Sequence, residues 1–250
     1  MIAGNWKMNT LRADAVALAR GIRERSDGVA GVEKVVCPPF VFLHDVAAQL
    51  DGSNIAVGAQ NVYWEEKGAF TGEVSVTQVA EVARYAIIGH SERRQYFGET
   101  DETVNRRVKA ALAHGLKPIM CVGETLEQRE ARQTSDVLVR QTRGGLDGVS
   151  IGTDFVIAYE PVWAIGTGLA ADGATAQEAI ALIRATVREL AGDVAASVRI
   201  LYGGSVTGDN IAEFMSQPDV DGGLVGGASL KADGFAAIIS GTAAASAARG

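Results

Sequence analysis

Eight short apolar runs, separated by longer segments of helical period, recur from one end of this chain to the other without a break in composition. The runs are Ile2–Lys7, Lys34–Pro38, Ile55–Asn61, Tyr85–Gly89, Lys117–Val122, Phe155–Glu160, Arg199–Gly203 and Gly222–Val225. Most are continuously apolar instead of alternating, the pattern of parallel strands covered on both faces. Between them, Ala13–Arg25 places Val16, Ala19 and Ile22 at helical spacing, and Glu102–His114 follows Thr100-Asp101 and stops at Gly115. Asp172 is a suitable N-cap for a helix whose apolar stripe is Ala176, Ile180, Ile183, Val187 and Leu190. Eight such units predict an α/β chain folded as a single (β/α)8 barrel over residues 1–250. A doubly wound sheet is the rival, but it would normally carry a glycine fingerprint after its first strand, where this chain has Asn5-Trp-Lys-Met-Asn9.

Composition narrows the partners. Hydrophobic residues make up 47% of the chain, enough for one large core, and the 21% that are charged suit a soluble globule. The net charge of −7 argues against nucleic acid and anionic membranes. An anionic substrate would therefore be held by local features, a lysine and oriented backbone amides. No apolar run approaches the roughly 18 residues of a membrane span. Met1–Asn5 lacks the basic and long apolar regions of an export signal, so none is expected. The two cysteines, Cys37 and Cys121, show neither metal-ligand nor disulfide spacing, and reduced thiols in a cytoplasmic protein are the expectation.

In a barrel the chemistry gathers at the carboxyl ends of the strands. Strand one ends in Asn5 and Lys7, which alternation would turn to the same side, and a lysine there is a fixed positive charge for an anionic oxygen. Strand four ends in Gly89-His-Ser-Glu-Arg-Arg94, so His90 precedes a possible helix start. Amides at that start would bond one imidazole nitrogen, disfavour the cation and leave the other nitrogen as a neutral donor. His44 and His114 fall in helix-like segments and read as structural.

Strand six runs into Ala158-Tyr-Glu-Pro-Val-Trp-Ala-Ile-Gly-Thr-Gly168, where Glu160 meets Pro161 and a small, glycine-punctuated loop follows. A carboxylate beneath such a lid could be a base that works once water is excluded. Strands seven and eight end in Tyr202-Gly-Gly-Ser-Val206 and Gly222-Gly-Leu-Val-Gly-Gly-Ala-Ser229. Gly203-Gly204 with Ser205, and Gly226-Gly227 opening a helix at Ser229, would let amides converge on one phosphate.

Taken together, Asn5-Trp-Lys-Met-Asn9, Gly89–Arg94, Ala158–Gly168, Tyr202-Gly-Gly-Ser205 and Gly223-Leu-Val-Gly-Gly-Ala228 resemble the triosephosphate isomerase family, from Ile2 to about Ile239 and in its order. The resemblance implies interconversion of dihydroxyacetone phosphate and glyceraldehyde 3-phosphate, a step of glycolysis and gluconeogenesis, without cofactor or metal. It implies that Glu160 is the base, His90 the neutral electrophile, Lys7 the positive charge on the substrate, and Asn5 a donor near the same oxygens. Glu92 and Cys121 match positions beside the site and take supporting roles. Gly166, Ser205, Gly226 and Gly227 match phosphate-binding positions.

Gln60–Glu73 resembles the family's interdigitating interface loop, which implies a homodimer through residues 60–73 with Thr71 reaching towards the partner's Asn5 and His90. Departures occur at Leu169-Ala-Ala171 and at Asp172-Gly173, where the family often has a Lys-Thr-Ala run and a threonine-proline helix start. Glycine there would loosen the helix start. The alternatives are another phosphosugar isomerase, which would share the glycines but not need Lys7, His90 and Glu160 together, and a catalytically inactive barrel that only binds a phosphometabolite.

Overall fold

The structure, a computed structural model, describes residues 1–165 and 171–249. Its strands are β1 (Ile2–Asn5), β2 (Lys34–Cys37), β3 (Ile55–Ala59), β4 (Tyr85–Ile88), β5 (Lys117–Val122), β6 (Val156–Tyr159), β7 (Arg199–Tyr202) and β8 (Gly223–Val225). They close into one parallel barrel in chain order, β8 pairing with β1 through Ile2 opposite Gly223. The helices are α1 (Arg12–Ser26), α2 (Leu43–Leu50), α3 (Val76–Ala80), α4 (Ser91–Phe97), α5 (Asp101–Ala113), α6 (Leu126–Glu130), α7 (Thr134–Leu146), α8 (Gly173–Ala191), α9 (Ile211–Met215) and α10 (Ala232–Arg249). The (β/α)8 expectation holds.

Several predicted runs extend one or two residues past the strands at their carboxyl ends, into Trp6-Lys7, Pro38, Gln60-Asn61, Gly89, Glu160 and Gly203, where the chain leaves the barrel wall for the loops at its mouth. Strand one stops at Asn5, so Lys7 is not a strand residue; its φ is +51°, and a left-handed turn, not strand alternation, aims its side chain. At the helix ends the local signals and the structure agree. Thr100 caps α5 with a reciprocal pair of bonds to Thr103, Gly115 follows α5 at φ +74°, and the Asp172 side chain accepts from Thr175 N at 2.7 Å. Leu190 does not belong to the buried stripe of α8: it lies on the outer side of the last turn and is exposed. The turn after β8 begins at Gly227, two residues before Ser229, and is a single 3-10 turn through Leu230.

Two apolar layers result from strands buried on both faces. Ile2, Val36, Ile55, Ile88, Met120, Ile157 and Ile200 face outward against the helices. Ala3, Val35, Cys37, Ile87, Ile119, Cys121, Ala158, Leu201 and Leu224 fill the barrel interior. The inward set fixes a parity. Two residues beyond Ala3, Ala158, Leu201 and Leu224 come Asn5, Glu160, Gly203 and Gly226, so each is delivered to the barrel mouth. Glu33 closes the opposite end through hydrogen bonds to Tyr85 and Arg199.

The approach of β5 to β6 at the mouth requires a residue without a side chain. A Cβ at Gly123 would lie 1.7 Å from the Glu160 carbonyl oxygen. Gly123→Ala is therefore expected to destabilise the protein by about 2–3 kcal/mol through displacement of the Glu160 backbone. Denaturant unfolding of both proteins checks this; equal midpoints would mean the approach is relaxed in solution.

Candidate active site

Asn5, Lys7, His90, Glu160, Ser205, Gly226 and Gly227 line a single cleft of about 320 Å³ at the barrel mouth, with Ile165, Gly203 and Gly204 among the other residues of its wall. Among the described residues, the predicted constellation is thus in one place. Gly166, the remaining predicted phosphate-binding position, lies outside the described residues, as do residues 167–168 of the predicted lid and residues 169–170 of the departure that follows it. A larger cavity of about 550 Å³, lined by Cys121, Arg94, Gln141 and Trp163 among others, adjoins the cleft, and Glu160 borders both.

His90 is the N-cap of α4. Its Nδ1 accepts from the Glu92 backbone amide at 3.2 Å, and a backbone N–H can only donate. The neutral ring therefore carries its proton on Nε2, which lies 2.9 Å from Glu160 Oε1. Glu160 is 2% exposed and His90 5% exposed. The other carboxylate oxygen, Oε2, accepts from Ser91 N at 2.8 Å. Ser91 was not anticipated, although the first residue of a helix following His90 is where an amide without a helical partner occurs.

Burial alone would push the Glu160 carboxyl up, but His90, the Ser91 amide and Lys7 outweigh it and hold the group below its ordinary range. For His90, burial disfavours the imidazolium, yet the facing Glu160 carboxylate prevails and raises the group above its ordinary value. The depressed carboxyl contributes stability above its ordinary value of 4.5, lost as pH falls through the lowered folded value. The raised imidazole contributes stability below its ordinary 6.5, lost as pH rises through the raised folded value. Both describe one carboxylate–imidazole contact, which contributes in full between these limits. Cys121, in the barrel interior, is held as the thiol, its acidity suppressed first by burial and then by the Glu160 charge.

Lys7 Nζ lies 2.6 Å from Glu92 Oε1, and its backbone N–H donates to Asn5 Oδ1 at 3.0 Å. A Cβ on Gly226 would come within 3.4 Å of Lys7 Cε, so the glycine leaves room beside the ammonium. On the opposite wall, Ser205 Oγ donates to Ala164 O at 3.0 Å, joining the loop after β7 to the segment after Glu160. Gly204 packs beneath the Tyr202 ring, where a Cβ would meet the hydroxyl at 2.2 Å. That hydroxyl points towards the Ala171 backbone, outside good hydrogen-bonding geometry, and burial raises the phenol to about 12.

Two further features escaped the sequence. Glu124, fully buried, accepts from Tyr159 at 3.1 Å and from Trp163 Nε1 at 2.9 Å, with the Arg129 guanidinium stacked 4.4 Å over the Trp163 ring. Gly173 is not a loose helix start: its N–H donates to Glu213 Oε1 at 2.6 Å, a bond that proline could not make. Its Cα is also crowded, since a Cβ would meet Gln217 Nε2 at 2.8 Å.

The triosephosphate isomerase family model matches residues 1–242. The chain belongs to the triosephosphate isomerase family. It is 56% identical over 242 residues to the triosephosphate isomerase of Moorella thermoacetica, covering 96% of this chain and 97% of that protein. It is also 56% identical over 243 residues to that of Caldanaerobacter subterraneus subsp. tengcongensis, covering 96% and 98%, and 55% identical over 244 residues to that of Citrifermentans bemidjiense, covering 96% and 97%.

If Glu160 is what raises His90, replacing its charge should reverse the shift. In Glu160→Gln, burial and the Glu92 amide remain and both favour the neutral ring. NMR titration of the His90 ring should give a lower midpoint in the variant than in the parent. An unchanged midpoint would assign the shift to something other than the carboxylate.

Proposed function

We propose that Glu160 and His90 carry the proton transfers of triose-phosphate isomerisation in this cleft. The reaction interconverts dihydroxyacetone phosphate and D-glyceraldehyde 3-phosphate, a step of glycolysis and gluconeogenesis. The observation that carries the assignment is the contact between an ionised, buried carboxylate and an imidazole whose second nitrogen is occupied by an amide, on the wall facing Ser205, Gly226 and Gly227.

Glu160 removes a proton from the carbon beside the substrate carbonyl, and the electron pair becomes that of an enediolate. His90 Nε2–H faces the developing oxyanion as a neutral donor and moves protons between the two oxygens. The carboxylate then returns its proton to the neighbouring carbon. To act on substrate, Glu160 must release Nε2 of His90 and the Ser91 amide, and its withdrawal removes the charge that raised the imidazole. The ring is then favoured as neutral when the oxyanion forms. This division of labour is one for which the family is itself the standard illustration.

Lys7 supplies the positive charge and Asn5 a donor at the substrate oxygens, while Ser205, Gly226, Gly227 and, in the part of the chain outside the described residues, Gly166 hold the phosphate. Glu92 supports the site twice, by pairing with Lys7 and by setting the His90 tautomer through its amide. Cys121 supports it as an uncharged thiol near Glu160. The buried free cysteines are consistent with a cytoplasmic setting.

The oligomer is a homodimer through the 60–73 loop. Within one chain, Tyr63 stacks on Trp64 at 4.2 Å and Arg107 lies 4.8 Å over the Trp64 ring, so the base of the loop is covered. Its tip is not: Phe70 is 41% exposed and Thr71 is exposed. Met8, Leu11, Val41, Tyr96 and Phe97, on the loops after β1 and β2 and on α4, are exposed as well. These apolar side chains supply a partner surface for the tip, with Thr71 directed to the partner's Asn5 and His90.

Glu160→Asp should keep the fold and slow turnover by roughly two to four decades, because the shortened side chain misplaces the base. A coupled assay with glyceraldehyde 3-phosphate reads this, and a near-normal rate would remove Glu160 from the role. Deleting Phe70–Gly72 should shift gel filtration from dimer to monomer with loss of activity. A compact, active monomer would overturn the interface assignment.

A further inference from the structure

Gln60 joins the base of the 60–73 loop to the cleft. It follows β3 directly and is half-buried. Its Nε2 donates to Lys7 O at 2.8 Å and to Cys37 O at 2.9 Å. Only the NH2 end of a carboxamide can satisfy two carbonyls, so chemistry fixes the orientation of the group. Both acceptors lie at the carboxyl ends of other strands, one after β1 and one on the last residue of β2.

What the bond to Lys7 holds is an unfavourable conformation. With φ at +51°, Lys7 sits in the left-handed region, which a residue bearing a Cβ leaves unless its surroundings over-determine it. Three carboxamides surround this turn. Asn5 Oδ1 accepts from Lys7 N at 3.0 Å, Asn9 Nδ2 donates to Trp6 O at 2.7 Å, and Gln60 takes the Lys7 carbonyl. Asn5 ends β1 and Asn9 lies in the loop with Lys7, both within one βα unit. Gln60 comes from a different βα unit and ties the turn to the end of β3. The same turn places Lys7 Nζ at the cleft, 2.6 Å from Glu92.

We propose that Gln60 is a positioning residue for the isomerisation: its carboxamide locks the Lys7 main chain in the left-handed conformation that presents the ammonium to the substrate. The inference rests on the role given to Lys7 above. Because Gln60 also begins the interface loop, it makes the placement of the ammonium depend on the seating of that loop against β2 and β3.

A double-mutant cycle tests it. Gln60→Met keeps the length of the side chain and removes both donors. It should lower kcat/KM by roughly ten- to a hundredfold, mostly through a raised KM, as expected from losing two neutral hydrogen bonds behind a substrate-binding charge. In a Lys7→Ala background the same change should cost less than about threefold, because the group being positioned is gone. All four proteins are assayed at concentrations where gel filtration gives the same oligomer. An equal loss in both backgrounds, or a normal kcat/KM with only a lowered Tm, would overturn the role of Gln60. If Lys7→Ala itself keeps normal activity, the failure lies with Lys7.

Gln60→Glu provides a second readout should Gln60→Met fold poorly. An ionised carboxylate faces two carbonyls without a donor, whereas the protonated acid restores one. The ratio of variant to parent kcat/KM should therefore rise as pH falls from 8 towards 5.5. A flat ratio would overturn the proposal.

Discussion

Closing eight strands into one barrel imposes a parity on every strand, and the site depends on it. Each interior position must be filled by a side chain of suitable size, here mostly alanine, valine, isoleucine, leucine and cysteine. Because side chains alternate, filling the interior also decides which residue emerges at the mouth two positions later. Ala158 inside means Glu160 at the mouth, and Leu224 inside means Gly226 there. A shift of one residue in any strand would send the functional group into the helix layer and a core residue into the cleft. The packing requirement and the placement of chemistry are one constraint.

Once at the mouth, the groups are governed by a small set of short contacts. An acidic chain with net charge −7 has no global attraction for a phosphorylated substrate. Among the described residues the cleft presents one ammonium, already balanced by Glu92, and the backbone of glycine-rich turns. The carboxylate–imidazole pair is internally balanced too, Glu160 drawing bonds from His90 and Ser91. Such mutual satisfaction offsets the cost of burying these groups.

At the far end of the loop after β6, this chain has its own solution to anchoring α8. Where the resemblance led to an expectation of looseness, the Gly173 amide is tied to Glu213 and the Asp172 carboxylate caps Thr175. The missing side chain of Gly173 lets it approach Glu213 of α9 closely, and proline at that position would also lose the amide bond. Sequence reasoning assigned glycine its average behaviour. The neighbour that changed the outcome is 40 residues away.

The same division holds across the molecule. The number and order of strands, the capping of α5 by Thr100 and of α8 by Asp172, the helix-start setting of His90, and the residues of the cleft were legible because each depends on neighbours in sequence: hydrophobic runs, turn residues and fixed motif spacing. Strand ends, the exposure of Leu190, the Glu124–Trp163 contact and the attachment of Gly173 were not, because they depend on contacts made only after the units assemble. Lys7 shows the difference most directly. Its place beside Asn5 is written in the chain, but its direction comes from a left-handed turn held by a carboxamide 53 residues further on, and no local pattern encodes a conformation that is unfavourable until the barrel closes around it.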